Sequence, residues 1–362
     1  MKSLKYSKSF NFYLQAKNDF FIHNLKLLNK AKNQNQSYKT QVIRTKCKIC
    51  EAKLPSAVDF SSHGVEYLFC LNCEHLNGHY EDSESFTNEM YINEDGLDYA
   101  KNYLNNQLKV DEPSISNANL TKKAYRERTE NTYIPKVDFL IENIPSEKFS
   151  VIDIGCGAGY FVAACILKNI NATGYDVSKS MTSYGNEQLR LLTNHNNLLK
   201  NLSEDGIFGK IEETEATVIT AIGVIEHLRS PQLLFGAFKK SRAQYLYYSV
   251  PMFSISAILE NTFPHVFPRQ LSGGHTHLFT ESSISYMHKL LNSKSIAEWR
   301  FGTDMMDLYR SIIVMLQNNG SSSKMVKLTS KKIFPNIDAW QGIVDKSHFC
   351  SEIHCLIKKC DI

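Results

Sequence analysis

The chain has 362 residues, 43% of them hydrophobic and 22% charged, and a formal net charge of +4. That balance fits globular domains with a sizeable core, excludes a disordered or collagenous chain, and is too close to neutral to imply a nucleic-acid partner by itself. No apolar run reaches the roughly 18 residues that a membrane span needs, and the lysine-dotted N-terminus lacks an apolar signal core, so a cytoplasmic location is expected.

Residues 1–46 hold nine lysines and one arginine against a single acid, Asp19, with aromatic residues interleaved. They are expected to form a solvated basic arm, with an amphipathic helix at 20–28 and a polar linker at 33–39. Lysines interleaved with aromatics also suit single-stranded nucleic acid. Residues 47–75 contain Cys47-x2-Cys50 and Cys70-x2-Cys73, separated by nineteen residues. Each pair can present two thiolates to one ion from a tight turn, and the second pair closes a tetrahedron. Four thiolates leave no open position for water, so a structural Zn2+ is expected. Lys46 and Lys48 would ease the charge of that site, and His75 and His79 are expected at the surface. The chain has nine cysteines in all, an odd number that argues against a disulfide framework.

Residues 76–135 read as a helical connector, with Pro135 opening the helix that leads into the main domain at 136–362. Strands are predicted at 149–154, 172–176, 216–222, 245–250, 295–301 and 352–358. Helices are predicted at 160–167, 231–240, 281–291 and 304–316. No third strand can be placed between 180 and 215. This alternation implies an α/β fold with a doubly wound, mostly parallel sheet, and residues 303–347 read as an insertion before the last strand, serving as a substrate lid or a subunit contact.

The strand at 149–154 runs through Asp153 into Gly155-Cys156-Gly157-Ala158-Gly159, and a helix follows from Tyr160. Glycines let backbone turn sharply and pass close to a ligand. A dinucleotide loop would need GxGxxG to seat a pyrophosphate, whereas Asp153 would repel phosphate and suits an ammonium group. The pattern DxGxGxG resembles motif I of class I S-adenosylmethionine methyltransferases. That resemblance implies a seven-stranded sheet and a cofactor held by Asp153, Gly155, Cys156, Gly157, Gly159 and Tyr160. Asp176 and Val177 end the second strand, where a carboxylate can accept both ribose hydroxyls, and Gly223 follows the fourth.

A CxxC…CxxC module ahead of such a domain is similar to the sugar C-methyltransferases and related bacterial glycan-pathway methyltransferases, over roughly residues 47–300. This implies a sugar or nucleotide-linked glycan precursor as acceptor. It also places a histidine base in Gly274-His275-Thr276-His277, and a tyrosine among Tyr91, Tyr99 and Tyr103 in the site. His275 matches the family histidine, while Gly274 stands where the family has an acid, which favours an oxygen over a carbon nucleophile. His277 is the other candidate base. Glu226-His227 also resembles the ExxEH pattern of ubiquinone-pathway and small-RNA 2′-O-methyltransferases, which implies a divalent metal held with a later histidine, although Gly223 replaces the first glutamate. An RNA or small-molecule O-methyltransferase is therefore the alternative.

Overall fold

The computed structural model describes residues 2–8, 20–91, 118–146, 148–272 and 275–360. Its centre is an eight-stranded sheet in the order β1-β11-β12-β9-β8-β5-β6-β7. The parallel body comprises β7 (Leu199–Asn201), β6 (Asn171–Asp176), β5 (Ser150–Ile154), β8 (Val218–Ile222) and β9 (Tyr245–Pro251). β12 (Glu352–Lys359) runs antiparallel to β9, and β11 (Ser293–Phe301) antiparallel to β12. The sheet is therefore mostly parallel, as expected, but it has one strand more than the seven implied.

The eighth strand is β1 (Ser3–Tyr6), which lies parallel to β11 with Ser3 opposite Ala297. Its sequence, SLKY, alternates over only four residues, too few to signal a strand, so tertiary pairing decides it. Lys2 pairs with Glu298, the Lys5 ammonium stands 4.7 Å from the Trp299 ring centroid, and Trp299 Nε1 donates to the Ser7 carbonyl at 3.1 Å. The start of the basic arm is thus part of the sheet rather than a solvated segment.

A helix spans Phe20–Tyr38 and continues through the polar stretch expected as a linker. Asn24, Leu28, Ala31, Asn35 and Tyr38 form its buried face at helical spacing. Two of those positions are amides that act through hydrogen bonds. Asn24 donates to the His265 carbonyl at 2.9 Å and accepts from Phe267 N at 2.8 Å, and Asn35 donates to the His63 carbonyl at 3.0 Å. A buried amide satisfied on both sides is tolerated like an apolar residue, which is why hydropathy alone ends this helix too early.

Helices cover both faces of the main sheet. One face buries Ile152, Ile219, Leu246 and Tyr248 against Phe235 and Phe238 of the helix Pro231–Lys240. The other buries Val151, Val218, Tyr247 and Leu356 against Phe139 and Phe161. Each such side chain contributes about 1.5–3 kcal/mol when fully buried. The chain leaves β5 for β6 and β7, then crosses back to β8, so β5 and β8 flank the point where strand order reverses. In doubly wound sheets the crevice at the carboxyl ends of such a pair is the ligand site.

A second, four-stranded sheet has the order β10-β4-β3-β2, from β2 (Phe60–Ser62), β3 (Val65–Phe69), β4 (Leu76–Gly78) and β10 (His277–Leu278). The first three strands belong to the cysteine-bearing segment. The last comes from the main domain, with His277 opposite Asn77.

The region expected as an insertion holds helices Asp304–Asn318, Ser323–Ile333 and Ile337–Lys346. The first is anchored by Asp304, whose buried carboxylate accepts from Ser256 N, Ser256 Oγ, Ser351 N and Gln341 Nε2.

Candidate active site and four-cysteine centre

A cleft of about 1330 Å3 opens at the carboxyl ends of β5, β6 and β8. Ile154, Gly155 and Gly157 form its floor, Asp176, Val177 and Ser178 one side, and Gly223, Val224 and His227 another. Arg269, Ser272 and His275 line it too, as do Lys30, Asn33, Gln34 and Ser37 from the N-terminal helix. No sequence motif pointed to that helix as a wall, because its polar residues read as solvated.

The loop after β5 has Gly155, Gly157 and Gly159 all at positive φ, +63°, +51° and +72°. Two of them are also closed in by neighbours. A Cβ on Gly155 would meet Val224 at 2.6 Å, and one on Gly159 would meet Leu199 at 2.6 Å. Gly157 differs, since a Cβ there would find only the Met181 methyl, at 3.6 Å. Its backbone forbids a side chain while the space above it stays open, which is room for a ligand. Asp176 holds this loop in place, with Oδ2 accepting from Gly157 N at 2.7 Å and Oδ1 from Ser178 N at 2.8 Å. Burial pushes its carboxyl above the usual range, and the amides of Ser178, Gly157 and Val177 oppose that shift. The loop fits an adenosyl ligand with a ribose diol.

Three other residues expected against the cofactor, Cys156, Tyr160 and Asp153, lie behind the loop. Cys156 packs against Gly174, and Tyr160 is buried in an aromatic stack, its ring centroid 4.5 Å from Tyr125 and 5.5 Å from Tyr133. Tyr125 also donates to the Ala158 carbonyl at 2.8 Å, pinning the loop from that side. Asp153 is buried and accepts from Thr220 Oγ1 at 2.6 Å. Burial pushes its carboxyl up to about 7, with the Asp176 charge adding to the effect.

An acid raised in this way favours the folded state below its unfolded value near 4, and loses that contribution as pH rises through about 7. At pH 8 the ligand-free protein therefore carries a buried, underpaired anion. Asp153→Asn is expected to raise its stability there by roughly 1–3 kcal/mol while weakening cofactor binding. Urea melts at pH 5 and pH 8 check this, and an equal effect at both values would refute the assignment.

His275 and His227 meet at the cleft with ring centroids 5.3 Å apart. His275 Nδ1 lies 2.9 Å from the Arg269 carbonyl. A carbonyl can only accept, so Nδ1 carries the proton and Nε2 keeps a lone pair. Burial, aided by the Arg269 charge, holds this histidine below its ordinary pKa, against the carbonyl's opposing pull. The backbone path that creates the contact is fixed by buried Glu260, which accepts from the amides of Arg269, Gln270 and Leu271 at 2.7–2.9 Å. The Arg269 guanidinium is clamped to Asp307, Nε to Oδ2 at 2.9 Å.

His277 is not with them. It is buried outside the cleft, stacked on His75 with centroids 5.5 Å apart, and its Nε2 is 3.2 Å from Asp82 Oδ2. Glu226 also lies behind the cleft wall, buried, with its carboxyl pushed up to about 8 by burial. Its Oε1 is 3.8 Å from His227 Nε2. Among the described residues the ligating atoms of Glu226, His227 and a third such group do not all come within 4.8 Å of one another, although the His275 ring stacks on His227. Of the three tyrosines, Tyr91 ends the helix Glu84–Tyr91, and Tyr99 and Tyr103 lie outside the described residues, as does Gly274.

The four cysteines converge. Their sulfurs all lie within 4.8 Å of one another, with Cys47–Cys73 at 3.6 Å and Cys50–Cys70 at 3.4 Å. Tetrahedral Zn–S bonds of about 2.3 Å place sulfurs about 3.8 Å apart, so the set fits a zinc ion. The two turns share one design. Cys47 N donates to the Ala52 carbonyl and Cys70 N to the His75 carbonyl, while Glu51 N donates back to Cys47 O and Glu74 N to Cys70 O. Both glutamates have positive φ, +57° and +58°. The amides of Ile49 and Asn72 point at Cys47 Sγ and Cys70 Sγ, each at 3.4 Å, as suits thiolate acceptors.

Two neighbours depart from expectation. His75 is fully buried rather than at the surface, its ring edge-on to Phe279 at 4.7 Å. The Lys48 ammonium is buried on Asp82 and the Glu226 carbonyl, so its charge is committed there.

Residues 125–291 match the family model of a methyltransferase domain. No curated relative matches the sequence. Among solved structures the chain is similar to a magnesium protoporphyrin IX methyltransferase from Synechocystis PCC 6803 with bound SAH, at 12% identity over 77% of this chain and 100% of that one, with a TM-score of 0.45. It is also similar to a SAM-dependent methyltransferase from Archaeoglobus fulgidus, at 15% identity over 65% and 98% of the two chains, with a TM-score of 0.39. Among the described residues no helix is long and apolar enough to cross a membrane. Residues 125–291 of the chain are thus a methyltransferase domain.

Proposed function

We propose that this enzyme methylates a hydroxyl of a sugar or nucleotide-linked glycan precursor, with His275 as general base and a structural zinc ion on Cys47, Cys50, Cys70 and Cys73. The observation that carries the reading is the His275 imidazole, whose proton sits on Nδ1 toward the Arg269 carbonyl while its ring lines the same cleft as Gly157 and Asp176. When bound, S-adenosylmethionine supplies an electrophilic methyl group on a sulfonium. Asp176 would hold the ribose hydroxyls, Gly155, Gly157 and Gly223 would let backbone lie against the ligand, and Asp153 would offset its ammonium charge from behind. His275 Nε2 would accept the proton of the acceptor hydroxyl. A histidine held neutral suits that step.

The sugar assignment is supported by the cysteine module ahead of the domain and by the cleft's hydroxyl and amide walls, Asn33, Gln34, Ser37 and Ser272. Such groups read polyhydroxylated ligands through paired hydrogen bonds. The test is a screen of nucleotide-sugars, glycans and RNA for label uptake from methyl-labelled S-adenosylmethionine. Label on a sugar hydroxyl is expected, and label on RNA alone would overturn the sugar reading.

A further inference from the structure

Two segments bring histidines to the acceptor side of the cleft, 223–229 with His227 and 269–278 with His275. Both are fastened to the cysteine module at one place. Lys48 sits inside the first cysteine turn, and its buried ammonium donates to the Glu226 carbonyl at 2.9 Å and to Asp82 Oδ2 at 2.8 Å. Asp82 accepts in turn from Arg44 at 3.0 Å and, through Oδ1, from Thr276 Oγ1 at 3.0 Å, and it holds His277 Nε2 at 3.2 Å. Gly78 N donates to the Thr276 carbonyl at 2.6 Å, extending the β4–β10 pairing. From the main domain, Gln232 Nε2 reaches back to the carbonyls of Lys48 and Ile49, at 2.8 and 3.2 Å.

A lysine ammonium stripped of water is tolerated only on fixed acceptors. Lys48 therefore sets the distance between the Glu226 carbonyl and Asp82, and Asp82 sets the position of residues 276–277. Those atoms are the immediate chain neighbours of His227 and His275, whose rings stack. The bridge touches none of the groups on the cofactor side, Gly155, Gly157 or Asp176.

We propose that Lys48 and Asp82 are positioning residues that hold His227 and His275 in register at the acceptor side, and that metal binding by the first cysteine turn keeps Lys48 in place. This rests on the reading of His275 as base. It makes the cysteine module a part of the acceptor site rather than an appended domain. Metal occupancy then governs turnover and leaves cofactor affinity nearly untouched.

The experiment uses the full zinc-loaded chain and its Lys48→Met variant, followed by hydrogen exchange with mass spectrometry. Zinc content and calorimetric affinity for S-adenosylhomocysteine are measured on the same samples. The variant is expected to keep its zinc, to bind S-adenosylhomocysteine within about twofold of the parent, and to exchange amides at 224–228 and 275–279 about tenfold faster, with 151–160 unchanged. Turnover on an acceptor found in the label screen is expected to fall about tenfold in kcat, with KM for the cofactor constant. Unchanged exchange in the two segments, or acceleration that spreads equally to 151–160, would overturn the proposal. Should the variant not fold, removal of zinc from the parent by a chelator is the second measurement. Faster exchange at 224–228 and 275–279 then supports the coupling, and a rise confined to 47–73 overturns it. Full turnover in His275→Ala would remove the base while leaving these exchange rates as they are, so the two failures are separable.

Discussion

Asp176→Ala is expected to weaken S-adenosylhomocysteine binding by about 100-fold or more, read by calorimetry. The carboxylate has two tasks. It accepts from Gly157 N and Ser178 N, which sets the shape of the glycine loop, and it lines the cleft, where a ribose diol can donate to it. Hydrogen bonds to a charged acceptor are worth about 1.5–3 kcal/mol each, so losing two gives at least the stated factor. Asp176→Asn keeps the side-chain volume but sets its NH2 against one of the two loop amides, and should fall between the two. Burial raises the carboxyl above its usual range, and the diol binds the ionised form. Affinity should therefore decline as pH falls toward that raised value. An Asp176→Ala protein that binds with parental affinity would remove the cofactor assignment for this loop.

His275→Ala is expected to lower kcat by about 10²–10⁴-fold while S-adenosylhomocysteine affinity stays constant. The loss falls on kcat because the group acts on the proton of the acceptor and not on the adenosyl ligand. In the parent enzyme the rate should decline on the acid side as His275 becomes protonated. Burial and the Arg269 charge hold this histidine below its ordinary value, so the decline should begin below the usual pKa of about 6.5. His277→Ala separates the two candidate bases. It should disturb packing against His75 and Asp82, seen as a lower melting temperature, without abolishing the acid limb. A His275→Ala enzyme with parental kcat, or one whose loss is entirely in cofactor binding, would sink the general-base reading.

The parts of the fold that were legible from sequence are those where a local pattern and the tertiary structure agree. β5, β8 and β9 are rich in Val, Ile or Tyr, end at glycine or proline, and buried on both faces they need no further cue, while β6 buries alternate residues. β7 is only Leu199–Asn201, with one buried residue, and three residues carry too little periodicity to be seen. β1 and the second half of the Phe20–Tyr38 helix were missed because their partners lie far away in the chain, and amides rather than apolar groups fill the buried helix positions.

In the site, the glycine loop and Asp176 were visible because their geometry is local. The choice between His275 and His277 was not, since residues two apart on a regular strand share a face, whereas here His275 lines the cleft and His277 stacks on His75. In sequence Lys48 reads as a counter-charge for the cysteines, because sequence shows its neighbours in the chain and not Asp82 across the junction. Glu260 and Asp307, which hold the His275 loop, carry no motif at all.

The pairing of Ser3–Tyr6 with β11 has a consequence for how the protein is made. On the ribosome residues 3–6 emerge long before residues 293–301, the strand they must join. Throughout that interval its backbone donors and acceptors stay open, and lysines at both ends keep it from joining a wrong edge. Completion of the sheet is therefore a late event, slowed by the long span to be closed. A nascent chain arrested before residue 293 should be cut around residues 3–6 even when the domain that follows already resists protease.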